Sequence, residues 1–432
     1  MTDHAGHDAS CACREYRELT RRQFVGAAAG VAAAAVFPAW LPRVVLAPTF
    51  ASDRDVIVSV FQRGGVDGLN LVVPYGDPDY YAGRNTIAIP RPDASVAATQ
   101  KVTAIDSLFG FAPAMLPLVP AFASGNLLAV HAAGQSYVSR SHFDAQRFME
   151  VGKPNDPAYV TGWLGRHLAL MPPMRADAPL RAIGVSNGLQ KTLVGAPQAL
   201  PIANPANFSV GGSPATAAAR QAVIAADYAD APAPLNATAL AAVDTIALLQ
   251  NVNFAGYAPM NGASYPNTSF GRALKAVATL IRADVGIEAA QVDIGGWDTH
   301  ASQGGVTGTL ASLTDDLASS LAAFHADVVP TNARVTVVVV SEFGRNAREN
   351  GSQGTDHGRG TTMFAMGQGI VGGRVLADWP GLAIENLEAK QDLKVTIDYR
   401  DVLAEIVQKR LGNTLLDQVF PGWTPTFRGV AT

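Results

Sequence analysis

The 432-residue chain is 48% hydrophobic and 16% charged, with a formal net charge of −4. With a mean hydropathy of +0.14, this composition can bury a core and excludes a disordered chain. No Lys/Arg run follows the N-terminal region, so nucleic acid, whose phosphates need clustered cations, is not an expected partner.

The N-terminus reads as an address. Thr20-Arg21-Arg22-Gln23-Phe24 matches the twin-arginine pattern, and an Ala-rich apolar stretch runs from Val25 to Trp40. That stretch is short for a membrane span, is Ala-dominated, and is broken by Pro38 and Pro42. A small-residue cleavage site near Ala47 or Ala51 assigns residues 1–47 to a signal peptide and 52–432 to one mature α/β domain. The expected location is periplasmic or secreted, with no stable membrane span after removal of the signal. The 2 cysteines, Cys11 and Cys13, precede the arginine pair. A mature chain without them has no disulfide, no thiolate ligand and no cysteine nucleophile.

In chain order, the mature region opens with a β-branched strand, Val56 to Phe61. It runs into Arg63-Gly64-Gly65-Val66-Asp67-Gly68. A second strand, Leu127 to Ala132, leads through a polar turn to a helix that starts near Ser141 and stops at Gly152. Residues 188–265 read as an insertion or cap over the sheet edge, with an Ala-rich helical stretch from Ser213 to Leu249. Further apolar runs are Arg181 to Val185, Val292 to Ile294, Val335 to Val340 and Thr362 to Met366. Helical patterns cover Leu310 to Val328 and Tyr399 to Leu411. This alternation predicts an α/β fold: a doubly wound, mostly parallel sheet with helices on both faces.

Ligands of open α/β sheets bind beyond the carboxyl ends of the strands, and ionisable residues recur at those ends. Asp67 follows the first strand and Ser141 the second. Asp298 and His300 follow Val292 to Ile294. Glu342 and Arg345 follow the strongest strand, and Asp356-His357-Gly358-Arg359 comes soon after. Carboxylates and imidazoles suit a divalent cation, which would polarise an ester oxygen. The metal candidates are therefore Asp67, Asp298, His300, Glu342 and His357, for Zn, Mn, Mg or Ca, and one ion would suffice. Ser141 at a helix N-terminus is a candidate nucleophile, though Ser141 with Asp144 is equally a helix cap. Arg63, Arg140, Arg345 and Arg359 could clamp an oxyanion. Each residue also has a plainer role: Asp67 as a turn residue, Glu342 neutralised by Arg345, His357 paired with Asp356. His167 and His325 read as structural.

The runs FQRGGVDGLNLVVPYGDPDYY, SRSHFDAQRFMEVGKP, DIGGWDTH, SEFGRN with TDHGRGT, and DYRDVL resemble the DUF1501 family, exported twin-arginine proteins of uncharacterised function. That family is related by fold to the alkaline phosphatase and sulfatase superfamily. The resemblance implies an alkaline phosphatase-like fold with a metal-and-nucleophile site at the carboxyl edge of the sheet. It assigns Asp298, His300 and His357 to one metal and Asp67 with Glu342 to another, with Ser141 attacking. Where the superfamily has Asp-His, this chain has Glu342-Phe343, and Phe343 cannot ligate. The resemblance thus implies a metal-dependent hydrolase or transferase acting on a small anionic phosphate or sulfate ester. The alternatives are a non-catalytic protein that binds an exported partner, and oxidative chemistry at iron.

Overall fold

The computed structural model describes residues 54–432, apart from 234 and 333. The twin-arginine run, the apolar stretch behind it, the cleavage region and both cysteines lie outside the described residues.

Nine strands form one sheet: β1 (Val56–Arg63), β2 (Leu127–Gly134), β3 (Ala182–Gly184), β4 (Ala199–Pro201), β5 (Ala289–Gly295), β6 (Val335–Ser341), β7 (Thr361–Met366), β8 (Arg374–Leu376) and β9 (Ile397–Asp398). Their spatial order is β8-β2-β7-β6-β1-β5-β3-β4, with β9 also paired to β2. All pairings are parallel except those of β7, which runs antiparallel to β2 and β6. The fold is thus mixed α/β around a mostly parallel sheet. The β-branched runs of β1 and β6 explain its centre. Residues 56–62 and 335–341 are buried without interruption, so water reaches neither face there. Each fully buried valine contributes about 1.5–3 kcal/mol of transfer free energy.

Among the described residues seven helices have eight residues or more: α1 (His142–Val151), α2 (Trp163–Leu170), α3 (Ala217–Tyr228), α4 (Leu235–Gln250), α5 (Ser269–Arg282), α6 (Thr309–Val328) and α7 (Tyr399–Lys409). Met149 of α1, Leu164 of α2 and Leu403 of α7 share a core cluster with Phe61, Val130 and Val338 of the sheet. On α7, the buried Glu405 carboxylate accepts the backbone N–H groups of Arg428, Gly429, Val430 and Ala431, and Lys409 Nζ at 2.8 Å. None of the described helices is long and apolar enough to cross a membrane.

Residues Ser209–Val243 cluster apart from the main unit, which holds the described residues up to Phe208 and Asp244–Thr432. Within that smaller stretch α3 buries no residue, and Arg220 ties its start to the carbonyls of Val210 and Ser213. The sequence reading drew the insertion wider, at 188–265. The outer parts of that range are built into the main unit: β4 extends the sheet, and the Tyr257 and Tyr265 hydroxyls donate to buried Asp327 on α6 at 2.6 and 2.9 Å.

Register decides where a site can form. Arg63 of β1 stands opposite Gly295 of β5, and Gln62 opposite Ser341 of β6, so these three strands end level. Thr361, at the start of antiparallel β7, stands opposite Ala133 near the end of β2. The segment leading into β7 therefore reaches the same rim as the carboxyl ends of the parallel strands.

Candidate metal centre

After Arg63 the chain turns through Gly64 (φ 124°) and Gly65 (φ 70°), a region costly for other residues. Space demands glycine as well. A Cβ on Gly64 would lie 2.6 Å from Asp298 N, and one on Gly65 2.5 Å from Cε2 of Phe343. The β1 loop thus lies directly against the loops that follow β5 and β6.

From β5 the chain passes buried Trp297 to Asp298 and His300. From β6 it passes Glu342 and Phe343 to Arg345. A short ribbon then pairs Arg345 with His357: Asn346 N donates to Asp356 O and Gly358 N to Gly344 O, both at 2.8 Å. From β2 a turn leads to Ser141, whose Oγ accepts Asp144 N at 3.4 Å and caps α1. His142, the first residue of α1, follows.

Three imidazoles meet at this rim, and each has its Nδ1 committed. His142 Nδ1 donates to Glu342 Oε1 at 2.8 Å, His300 Nδ1 to Asp356 Oδ1 at 2.9 Å, and His357 Nδ1 to the Arg140 carbonyl at 2.8 Å. In a neutral ring those acceptors place the proton on Nδ1 and turn the Nε2 lone pair toward the cluster. The Nε2 atoms converge on Asp298 Oδ1: His300 at 3.0 Å, His357 at 3.1 Å and His142 at 3.5 Å. His300 and His357 also face each other, Nε2 to Nε2, at 3.0 Å. His142 Nε2 is buried and lacks a hydrogen-bond partner, since its 3.5 Å approach to Asp298 does not have bonding geometry. Ligand atoms of His142, Asp298 and His357 all lie within 4.8 Å of one another. Lone pairs crowded against a carboxylate repel; Arg345 Nη1, 2.8 Å from Asp298 Oδ1, offsets part of that repulsion, and a ring proton or a bound cation would offset the rest. Two imidazoles and a carboxylate, with a third imidazole alongside, are donors that Zn, Mn or Fe accept.

The electrostatics divide: the Glu342 hydrogen bond, against burial, raises the pKa of His142 and favours its protonated ring when no cation is bound. Burial alone would raise the pKa of Asp298, but the bonds from Arg345 and His357 hold it below the usual range. Burial likewise opposes ionisation of Glu342, yet donors from His142, Gln146 and Gly64 N bring its pKa below normal. Burial lowers the pKa of His357, against its Arg140 and Asp298 contacts, and favours the neutral ring that a metal needs.

The sequence-predicted residues divide. Asp298, His300 and His357 come together. Glu342 arrives at the rim but as the support of His142: its side chain has no exposure, and Oε1 also takes Gly64 N at 2.8 Å and Gln146 Nε2 at 2.9 Å. Asp67 does not join Glu342 as a second pair of ligands. Its two oxygens accept Arg84 at 2.6 and 2.9 Å, and Gln303 at 2.7 Å, in a buried ion pair. The second metal site that the resemblance assigned to Asp67 and Glu342 is not formed: Asp67 is spent on Arg84 and Gln303, and Glu342 Oε1 on His142, Gly64 and Gln146. Asp356 orients His300, not its sequence neighbour His357. Phe343 packs its ring 4.9 Å from His142 and 5.0 Å from His357, centroid to centroid, as an apolar wall behind both imidazoles.

Among the arginines, Arg345 is completely buried. Its Nη1 donates to Asp298 Oδ1 at 2.8 Å and its Nε to Thr355 at 3.3 Å, while Nη2 has no partner. Arg140 spends its fork on the His357 carbonyl and Asp392, and Arg359 on Glu388 and the carbonyls of Gln135 and Ser136. His142 is the residue that sequence reasoning missed. It stands one place after the serine taken as nucleophile, behind a strand, where a histidine at a helix start was the available signal.

None of the curated proteins matches the chain. Among solved structures it is similar to alkaline phosphatase from the Antarctic bacterium TAB5, at 10% identity over 75% of this chain and 94% of that one, with a TM-score of 0.29. A score that low carries no argument about chemistry. The family model of DUF1501, described as a protein of unknown function, matches residues 54–418, and the chain belongs to that family.

Proposed function

We propose that this is a metal-dependent hydrolase or transferase of small phosphate or sulfate esters, exported by the twin-arginine route and built on a doubly wound, alkaline phosphatase-like scaffold. The observation that carries the metal reading is the buried, partnerless Nε2 of His142 beside the convergence on Asp298 Oδ1. His142, Asp298 and His357 would hold the ion, with His300 alongside. A dication there supplies Lewis-acid polarisation of an ester oxygen and activation of water. The residues do the rest. Glu342 and the Arg140 carbonyl keep two Nε2 atoms bare, and Phe343 excludes water behind the rings. Arg345, buried beneath the rim, holds Asp298 in place through Nη1 at 2.8 Å. Ser141 remains the candidate nucleophile: its Oγ is engaged only by the long cap contact with Asp144 N.

A second reading has a specific observation in its favour. Two histidines and one carboxylate are also the ligand set of non-haem iron oxygenases, so oxidative chemistry at iron is the alternative. Metal analysis of the purified protein, followed by aryl phosphate and aryl sulfate turnover, separates the two. Stoichiometric Zn or Mn with ester hydrolysis supports the first, and loss of turnover in Ser141→Ala assigns the attack. Iron with dioxygen consumption supports the second. A metal-free protein inert to both classes sinks both and leaves binding of a partner protein.

A further inference from the structure

Helix α1 carries His142, Gln146 and Glu150 at four-residue spacing, on one face. All three turn toward the ends of β1 and β6. Gln146 Nε2 donates to Glu342 Oε1 at 2.9 Å, and Gln146 Oε1 accepts Arg63 Nη1 at 3.2 Å. Arg63 is itself held by Glu150 (Nη2 to Oε1, 3.0 Å) and by Asp293 (Nε to Oδ2, 3.0 Å), with its guanidinium 4.2 Å from the centroid of the Phe61 ring.

A carboxamide has nearly the same shape either way round. Turned over, Gln146 would set its oxygen against the Glu342 oxygen and repel it. Arg63 decides the matter, because a guanidinium donates only and can bond nothing but the amide oxygen. The nitrogen of Gln146 is thereby aimed at Glu342, and Glu342 Oε1 is aimed at His142 Nδ1.

We propose that Arg63 and Gln146 are positioning residues for the metal centre: they fix Glu342 so that His142 keeps its proton on Nδ1 and its Nε2 bare for a divalent cation. This rests on reading the rim as a metal centre and names the residues behind its least expected ligand. Partners one step removed from a ligand typically change metal affinity 10–100-fold. Gln146, one step further out, acts at the lower end, roughly tenfold.

The test uses the full chain with Gln146→Met, which keeps the volume and removes both hydrogen bonds, and Arg63→Lys, which keeps the charge and loses the fork. Zn affinity is read by competition with a chelating dye. The His142 tautomer is read by 15N NMR of histidine-labelled, metal-free protein above the pH at which imidazole takes a second proton. The expected result is a roughly tenfold weaker Kd in Gln146→Met, a smaller loss in Arg63→Lys, and a His142 ring that shifts from pure Nδ1–H toward a mixture, with Tm held. If the parent protein binds Zn and both variants match it in Kd and tautomer, the positioning role is overturned while the metal centre stands. If the parent binds no Zn, the metal reading fails by itself, and an unchanged tautomer in both variants overturns the relay as well.

Discussion

Three side chains at the rim donate through Nδ1 to three different acceptors, of which the Glu342 carboxylate is fully buried and the Asp356 carboxylate exposed. Removing a ring tests ligation directly: His142→Ala and His357→Ala should each leave the purified protein without stoichiometric metal by elemental analysis. Glu342→Gln tests support. It keeps the shape but turns an acceptor of three donors into a mixed group, and Zn affinity should fall 10–100-fold. Full retention of affinity would mean that Glu342 is only a buried anion. Asp298, His300, His357 and Glu342 were legible as ionisable groups placed after strands. His142 was not, because the Ser141–Asp144 cap pattern accounted for its neighbourhood and drew attention to the hydroxyl. Asp67 shows the converse. A carboxylate between glycines says nothing about an arginine 17 residues on, yet Arg84 claims both oxygens. Arg84→Met should cost about 3–5 kcal/mol, the usual penalty for stranding one partner of a buried pair. Denaturant unfolding measures that cost, and the metal content of the folded fraction should not change.

At the level of elements, the centre depends on three loops lying closer than side chains ordinarily allow. Gly65 touches the Phe343 ring in the place where a Cβ would go. Gly65→Ala should therefore destabilise by roughly 1–3 kcal/mol from backbone strain alone, with more from the clash. Phe343→Ala in the same chain should return the clash part but not the strain part. A double-mutant cycle checks this, and strict additivity would deny that the two loops meet as described. The long strands were legible because β-branched residues fill β1 and β6. Strands of two or three residues, such as β4, β8 and β9, are too short to show a period, and they emerge only from pairing with longer neighbours. The direction of β7 was hidden for another reason. Thr362 to Met366 is apolar whichever way it runs, and nothing local distinguishes parallel from antiparallel. That direction brings His357 to the rim, so the sequence could name the residue and could not derive its company.

For the whole molecule, two buried histidines set an acid limit. Burial pushes His131 down to about 4, against its hydrogen bond to Val72 O, and burial with the nearby Arg54 and Arg181 pushes His167 down to about 3. Both lie below the unfolded value, so on acidification the unfolded chain binds protons that the folded chain refuses. Their stabilising contribution is whole above about pH 6.5 and is lost as pH falls toward about 4 and about 3, roughly 3–5 kcal/mol for each. Urea unfolding from neutral to acid pH should show the decline, and a flat profile would contradict the burial of these rings. The buried carboxylate of Glu405 bears on a different moment in the life of the chain. Its partners are the backbone N–H groups of residues 428–431, far downstream of the helix that carries it. While the ribosome has not yet delivered those residues, α7 cannot settle without sealing in a carboxylate that lacks most of its donors. A polypeptide cut short ahead of residue 428 would carry on α7 an ionised group that it cannot bury with its donors.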